Sequence, residues 1–276
     1  MKKRMLTLIA AAVLAASALT ACGNAAPAET EAEKTDFDII KESGHMVIGI
    51  TEYQPMNYYD ENGTLTGFDT EFAIAACEKL GVEPEFQVID WDTKETELKS
   101  RNIDCIWNGL TVTEDRRENM DFTNTYLANK QCVVINSANK DTYTDLASLG
   151  SAILSAESGS AGETAISSAS ELSGATYTAA ASQADALLSL NAGNCDAIVI
   201  DYTMAKASCG NGDYEALMMV EDIALEDELY AIGFRKGSDA TEKMNTIIAE
   251  MQQDGSLKAL AEKYDLTELY DAALSE

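Results

Sequence analysis

Residues 103–122, IDCIWNGLTVTEDRRENMDF, constrain the fold more than any other part of the chain. The apolar segment that ends at Trp107 predicts a short buried strand, and the Asn-Gly pair after it predicts a turn. Thr113 predicts the N-cap of a helix that carries Arg116 in its first turn. A strand, a turn and a helix in this order form the repeating unit of α/β proteins.

The same stretch carries groups that suit a carboxylate. Arg116 offers a planar fork of hydrogen-bond donors. The turn at Asn108 and Gly109 offers backbone N–H groups, and Thr111 offers a hydroxyl. These groups favour a small-molecule receptor over a catalytic or nucleic-acid-binding site. A salt bridge on the helix surface is the alternative interpretation of Arg116.

Strand and helix patterns alternate along the chain, and the alternation starts afresh near residue 141. Two such series predict two similar α/β lobes with mostly parallel sheets, which face each other and hold a ligand at the strand ends. Asp69 is expected to cap the first long helix, and residues 60–64, DENGT, to form a hairpin turn. The predicted strands cover residues 46–51, 82–89, 103–107, 131–136, 152–156, 196–200 and 230–234. The predicted helices include residues 69–80, 93–100, 183–190 and 257–264.

The first residues of the chain have the pattern of an export signal. Cations at positions 2–4 precede an apolar run over residues 6–19, which is too short to span a bilayer as a stable helix. The run ends in LTACG, which resembles the lipobox of bacterial lipoproteins. An ordinary secretory signal is the alternative. We therefore expect a signal peptide over residues 1–21 and lipid on Cys22, which would anchor the protein outside the cytoplasmic membrane.

Residues 22–37 are predicted to form a flexible tether. Ala, Glu, Thr and Pro dominate this segment, and it has no apolar periodicity, so it cannot bury a face. Such a tether would let a folded body move near the membrane.

The chain is strongly acidic, with 47 acidic and 19 basic residues and a formal net charge of −28. Removal of the signal cations makes the mature chain more acidic still. Such a surface repels nucleic acid and anionic lipid head groups, so we expect no nucleic-acid partner. Solubility outside the cell is the simpler explanation of the acidity, and attraction of cationic ligands is the alternative.

Cysteine and histidine usage argues against catalysis and metal binding. Five cysteines remain if Cys22 carries lipid, so at least one is a free thiol. The sequence leaves open whether Cys195 and Cys209 form a bridge. The single histidine, His45, lies in a predicted loop, and no Cys/His cluster is present. We expect no catalytic residue, no metal and no cofactor.

Residues 47–264 resemble the extracytoplasmic solute-binding proteins of polar amino-acid ABC transporters. The matching motifs, in chain order, are IGITEYQP, GxLxGFD, WD, IDCIWNGLTVTEDR, MDFT, ESGSAG, CDAIVID and FRKG. The resemblance implies an α/β periplasmic-binding-protein fold of type II, in which two lobes joined by two hinge strands close on the ligand like a flytrap. It assigns residues 38–130 and 226–276 to lobe 1 and residues 131–225 to lobe 2.

The resemblance also implies roles for individual residues. Arg116 would pair with the α-carboxylate of the ligand, and Asp201 would take its α-ammonium group. Thr111 and Ser160 would add hydrogen bonds through backbone and hydroxyl groups. The remaining expected contacts come from Asn108, Gly109, Gly159 and Ala161.

Two aromatic residues and two acids would surround the ligand side chain. Tyr53 and Trp91 would form its aromatic walls, with an ordinary core position as the alternative for both. Glu52 and Glu157 fall where relatives contact the ligand side chain. Two acids there would suit a cationic amino acid such as lysine, arginine or ornithine. Glutamates that point to solvent are the alternative.

The leading expectation is a lipid-anchored protein that captures a polar L-amino acid and delivers it to an ABC permease. Ligand binding would shift an open–closed equilibrium towards the closed form that the permease recognises. A sensory lipoprotein and an enzyme similar to cyclohexadienyl dehydratase, with Glu157 as its acid, are the alternatives. The expected partners are an amino acid, the permease subunits and the membrane, and the family default is a monomer.

Overall fold

The computed structural model describes residues 34–275, except for positions 222 and 224. The predicted signal peptide, Cys22 and most of the predicted tether lie outside the described residues. Within residues 34–275, those two positions apart, no helix has the length and apolar character needed to cross a membrane.

Thirteen strands and ten α-helices are formed by the described residues. The strands are β1 (His45–Ile50), β2 (Tyr58–Tyr59), β3 (Leu65–Thr66), β4 (Glu83–Val88), β5 (Cys105–Ile106), β6 (Met120–Phe122), β7 (Leu127–Asn136), β8 (Ile153–Glu157), β9 (Thr176–Ala180), β10 (Ala197–Asp201), β11 (Leu217–Met219), β12 (Asp227–Tyr230) and β13 (Gly233–Arg235). The helices are α1 (Asp36–Ser43), α2 (Phe68–Leu80), α3 (Lys94–Lys99), α4 (Glu114–Asn119), α5 (Ala161–Ser168), α6 (Gln183–Asn191), α7 (Tyr202–Ser208), α8 (Ala240–Gln253), α9 (Ser256–Lys263) and α10 (Thr267–Ala273).

The strands form two mixed sheets, each with a parallel centre. The first has the order β4-β1-β5-β13-β6, in which β1 runs parallel to β4 and β5, while β13 is antiparallel to β5 and β6. The second has the order β11-β7-β10-β8-β9, in which β8 runs parallel to β9 and β10, while β7 is antiparallel to β10 and β11. We call the first sheet with its helices lobe 1 and the second with its helices lobe 2. The two-lobed α/β fold expected from the sequence is confirmed.

The chain passes between the sheets twice. It leaves lobe 1 after β6 and enters lobe 2 as β7, and it returns from β11 through β12 to β13. β12 pairs antiparallel with the first half of β7, from Asp227 opposite Lys130 to Tyr230 opposite Leu127. This ribbon supplies the two hinge strands, and a two-stranded connection lets the lobes rotate with little change inside either one.

An aromatic cluster supports the turn that follows β5. The rings of Phe72 and Trp107 meet edge to face with centroids 4.8 Å apart, and Tyr126 packs against Phe72 at 5.5 Å. All three side chains are fully buried. Such packing holds the adjacent turn in one position.

The structure corrects the predicted end of the tether. Thr35 caps α1 through a capping box with Asp38, so Asp36 and Phe37 belong to a helix. The helix buries Ile40 against the body of the protein. The sequence has no apolar periodicity before this point, and a helix of eight residues offers too few turns for the pattern to be evident.

The structure also shows the helix cap, the hairpin turn and the cysteine pair that the sequence analysis considered. Asp69 does not cap α2, because the N-cap position is Gly67 and the Asp69 side chain is buried. The hairpin turn is confirmed, since β2 and β3 pair around residues 60–64. Cys195 and Cys209 are both free thiols, so the bridge is not formed.

Candidate ligand-binding site

The ends of strands from both sheets meet in the space between the lobes. β1 and β5 reach this space from lobe 1, and β8 and β10 reach it from lobe 2, as expected for carboxyl ends of parallel strands. They border a small cavity between the lobes. Its lining residues are Tyr53, Trp91, Asn108, Gly109, Thr111, Arg116, Glu157, Ser160, Ala161, Gln183 and Asp201. The structure therefore brings ten of the twelve sequence-predicted residues to one cavity and adds Gln183.

The two other predicted residues lie outside this cavity. Gly159 borders an adjoining open cleft, and its carbonyl oxygen faces Arg116. Glu52 is exposed and borders neither space, whereas its neighbours Thr51 and Tyr53 are buried. Alternation along extended chain turns every second side chain outwards, and Glu52 lies on the outer side.

Arg116 is a buried guanidinium that pairs with no acid in the described part of the chain. Its side chain is 8% exposed, and its backbone N–H donates to the capping hydroxyl of Thr113. Nη1 donates to the carbonyl of Thr111 at 2.8 Å, and Nη2 to the carbonyl of Gly159 at 3.2 Å. None of the ion pairs formed by the described residues, which exclude positions 222 and 224, involves Arg116.

A surface salt bridge is therefore not the role of Arg116. Burial lowers the pKa of its guanidinium, and the carboxylates of Glu228 and Asp201 oppose this effect. A guanidinium has five N–H donors, so several remain for another acceptor. A buried cation that lacks a paired anion is unfavourable, and a carboxylate in the cavity would relieve it.

Asp201 is a buried carboxylate held by neutral amides. Oδ1 accepts hydrogen bonds from Asn129 Nδ2 and Gln131 Nε2, both at 2.7 Å, and Oδ2 accepts one from Gln183 Nε2. Gln183 Oε1 in turn accepts from the backbone N–H of Asp201 at 2.9 Å. Burial raises the pKa of Asp201, while the amide donors act in the opposite direction. Amides orient the carboxylate without neutralising it, which suits an ammonium group.

The hinge ribbon supplies a second acid. Glu228 in β12 accepts hydrogen bonds from Thr111 Oγ1 at 3.1 Å and from Asn129 Nδ2 at 2.9 Å. Gln131 Nε2 also reaches it, at 3.1 Å, so two amides bridge Glu228 and Asp201. Burial and the neighbouring Asp201 raise the pKa of Glu228 to about 7. The hydroxyl of Thr111 is therefore already engaged by the protein.

The turn after β5 shapes the cavity through its backbone. The Asn108 side chain turns into lobe 1, where Nδ2 donates to the Thr51 carbonyl at 3.0 Å. The N–H of Gly109 donates to Asp69 at 2.7 Å. Neither the Asn108 amide nor this N–H is thus a free donor to a ligand, because the protein uses both internally.

Gly109 lies where only glycine fits. Its φ is +56°, and a Cβ there would come within 2.6 Å of Tyr53 Cε1 and 3.0 Å of Tyr230 Cε2. The Tyr53 hydroxyl contacts the hydroxyl of Tyr230 at 2.7 Å and that of Thr203 in lobe 2. The missing side chain therefore makes room for the aromatic wall of the cavity.

The loop after β8 forms the lobe 2 side. Ser160 caps α5, since its hydroxyl accepts from the N–H of Glu163 at 3.1 Å. Ala161 begins this helix, so the N-terminal end of α5 borders the cavity. Gly159 adopts a φ of +71° and presents its carbonyl oxygen to lobe 1.

Lys94 was not predicted from the sequence, although it lies beside Trp91. It is 5% exposed, and its Nζ lies 4.9 Å from the centroid of the Trp91 ring. Nζ donates to the carbonyls of Trp91 at 3.1 Å and Gly159 at 2.9 Å. Burial and repulsion from Arg116 lower the pKa of Lys94 to about 8. Its position three residues after Trp91, on the same side of a helical turn, is the signal that could have found it.

Fold and site together define a two-lobed binding protein with its ligand cavity between the lobes. The chain belongs to the bacterial extracellular solute-binding proteins, family 3, whose family model matches residues 46–267. This membership makes the protein extracytoplasmic.

Similar proteins bind amino acids. The arginine-binding extracellular protein ArtP of Bacillus subtilis is 29% identical over 266 residues, which is 96% of this chain and 98% of that protein. The L-cystine-binding protein TcyJ of Escherichia coli K12 is 27% identical and covers 82% of this chain and 84% of its own. The solved structure of an ancestral arginine-binding protein bound to arginine has a TM-score of 0.75 at 30% identity, covering 80% of this chain and 98% of that one. These relatives are named for binding, not for catalysis.

Proposed function

We propose that the protein captures a polar L-amino acid between its lobes and delivers it to an ABC permease. The observation that carries this proposal is a pair of opposite charges at one cavity. Arg116 forms no ion pair with a described residue, and Asp201 is held by amide groups. A free α-amino acid carries a carboxylate and an ammonium group on one carbon, so it would satisfy both.

Binding would be coupled to closure. Hydrogen bonds between the lobes cluster at the cavity: Arg116 and Lys94 donate to the carbonyl of Gly159, and Tyr53 contacts Thr203. Closing around unpaired charges is unfavourable, whereas a ligand that pairs with them removes this cost. The ligand would therefore shift the population towards the closed form, and the permease would recognise that form.

The ligand side chain is less constrained than the head group. The relatives named for arginine and cystine support a ligand with an α-amino acid head group. Glu157 borders the cavity and supports a polar side chain. The preference for a cationic amino acid depended on Glu52 as well, and Glu52 is exposed away from the cavity.

Calorimetric titration of the mature chain, freed of bound ligand by partial unfolding and refolding, tests this function. The titrants are the common L-amino acids together with L-ornithine, L-citrulline and L-cystine. We expect saturable binding of at least one, weakened by about 2–5 kcal/mol in Arg116→Met because the ligand carboxylate loses its partner. Arg117→Met is the matched control, since Arg117 is half exposed on the same helix and pairs with Glu114. Absence of binding to every titrant would contradict the proposal.

We also propose that the mature protein is attached to the membrane through lipid on Cys22. The motif LTACG after a short apolar run supports this attachment. Metabolic labelling with a tagged fatty acid in a bacterial host should mark the protein, and Cys22→Ser should lose both the label and membrane association. Membrane association that survives this substitution would contradict lipid anchoring.

A further inference from the structure

Glu157 borders the cavity with an unused carboxylate. The side chain is 3% exposed, and Oε1 has no hydrogen-bond partner within the described part of the chain. Leaving a buried carboxyl oxygen without a partner is costly. Burial and the charge of Asp201 raise the pKa of Glu157 to about 8, and a donor group on a ligand would favour the ionised carboxylate. The position of Glu157 at the end of β8, facing the cavity, makes this oxygen available to a donor on a ligand.

Lys94 has a hydrogen-bond donor without an assigned acceptor, which complements the unpaired acceptor of Glu157. An ammonium group has three N–H donors, and the two backbone carbonyls that it meets leave one unassigned. Among the described residues, 34–275 without positions 222 and 224, no carboxylate lies within ion-pair distance of Lys94. Lys94 borders the open cleft that continues from the cavity, beside the Trp91 wall. A ligand side chain that passes Trp91 would therefore meet a buried donor as well as a buried acceptor.

The two groups are neighbours but not partners. Lys94 Nζ donates to the carbonyl of Gly159 at 2.9 Å, two residues after Glu157, yet the two side chains form no salt bridge. We infer that Lys94 and Glu157 form a side-chain subsite that selects amino acids whose side chain ends in both a hydrogen-bond acceptor and a donor. This inference rests on the proposed function, because it concerns the far end of the same ligand.

A side chain with one kind of charge satisfies only half of this subsite. A lysine or arginine side chain would pair with Glu157 but would bring a second cation close to Lys94. A glutamate side chain would pair with Lys94 but would face Glu157. A carboxamide or ureido group, or a second ammonium–carboxylate pair, offers an acceptor to Lys94 and a donor to Glu157.

Competition calorimetry on the mature chain tests the subsite. The dipolar probes are L-glutamine, L-citrulline and L-cystine, the first two neutral and the last zwitterionic at its far end. The probes with one charge are L-arginine, L-lysine and L-glutamate. We expect the best dipolar probe to bind at least about tenfold more tightly than any probe with one charge. The ranking among the three dipolar probes identifies which terminal group the subsite takes.

Substitution of Lys94 distinguishes two roles of this residue: selection among ligand side chains, and a contact that stabilises the closed lobes whatever the ligand. Lys94→Met should improve binding of L-arginine relative to the best dipolar probe by about tenfold or more, since the repelling cation is gone. Lys99→Met is the control, because Lys99 is exposed at the end of the same helix. An equal loss for all six probes would make Lys94 only a contact between the lobes and would overturn the inference.

The outcome for the subsite is separable from the outcome for the proposed function. If L-arginine binds most tightly to the wild type, and this binding is lost in Arg116→Met, the function stands and the subsite inference is wrong. If another L-amino acid binds while none of the six probes does, the function stands and the subsite inference is wrong. If no amino acid of the full set binds, or if binding is unaffected in Arg116→Met, the proposed function itself fails.

Discussion

Asp69 should make the stability of the protein fall as pH rises. Its carboxylate is buried beneath the binding turn, where it accepts hydrogen bonds from the Gly109 N–H at 2.7 Å and the Tyr126 hydroxyl at 2.9 Å. Burial raises its pKa from 3.8 to about 7, and the two hydrogen bonds only partly offset this effect. Asp69→Asn keeps an acceptor oxygen for both donors and removes the titration.

The size of the effect follows from the two pKa values. In the unfolded chain, the carboxyl group loses its proton near pH 4, and in the folded protein it does so at about pH 7. Between these values unfolding releases a proton, so the free energy of unfolding falls as pH rises. Each pH unit contributes about 1.4 kcal/mol, which gives roughly 4 kcal/mol over the whole window and no further change above it.

Urea unfolding at pH 5, 6, 7 and 8, followed by tryptophan fluorescence, measures this slope. The other buried acids titrate in both proteins, so the difference between wild type and Asp69→Asn isolates Asp69. From pH 5 to 7, the free energy of unfolding of the wild type should fall relative to that of Asp69→Asn. Above pH 7 the difference between the two proteins should stay constant. Asp60→Asn is the control, because backbone N–H groups lower the pKa of this exposed carboxylate below its ordinary value of 3.8. Asp60 therefore stays ionised from pH 5 to 8, and its variant should differ from the wild type by a constant amount over this range. A difference that is constant from pH 5 to 8 would refute the reasoning.

Two further substitutions probe the backbone of the site. Gly109→Ala should destabilise the fold by about 2–4 kcal/mol, because the new methyl group overlaps the rings of Tyr53 and Tyr230 and the backbone is left-handed. Gly193→Ala is its control, since Gly193 has a φ of +73° but nothing within 4 Å. Equal urea midpoints for the two variants would contradict the overlap. Ser160→Ala should cost about 1 kcal/mol through loss of the α5 cap, and an unchanged midpoint would show that the cap is dispensable.

The residues that sequence reasoning found lie where local rules determine position. A capped helix after a strand and a turn places Arg116 at the strand end, and Asp201 ends an unmistakably apolar strand. Parallel strands in each sheet then bring such ends together. Local pattern and global fold agree at these positions, so the sequence predicts where Arg116 and Asp201 lie in the fold, and their roles in binding stay a proposal.

The site residues that the sequence analysis did not predict owe their positions to contacts between segments that are far apart in the chain. Gln131 lies opposite Asp201 because β7 pairs with β10, and Glu228 lies opposite Asn129 because β12 pairs with the first half of β7. Nothing local predicts either register. The period-2 spacing of Asn129 and Gln131, which places both on one face of β7 with exposed Lys130 on the other, was the available signal. Gln183 reaches Asp201 only because α6 packs beside β10.

Two errors have a shared cause. Asp69 matches the pattern of an N-cap, and Glu52 adjoins a ligand-binding motif, yet both side chains point elsewhere. In each case, a shift of one or two residues along the backbone decides whether a side chain faces the cavity, the core or solvent. Patterns of residue type do not resolve such a shift.

Recognition of both charges of the ligand head group by Arg116 and Asp201 is the central claim. Its most direct test is calorimetry of the mature chain with the tightest-binding L-amino acid, its α-methyl ester and its N-acetyl derivative. The ester removes the carboxylate charge and the acetyl group removes the ammonium charge, so each derivative should bind more weakly by about 2–5 kcal/mol. Equal affinity of either derivative and the free amino acid would contradict the account.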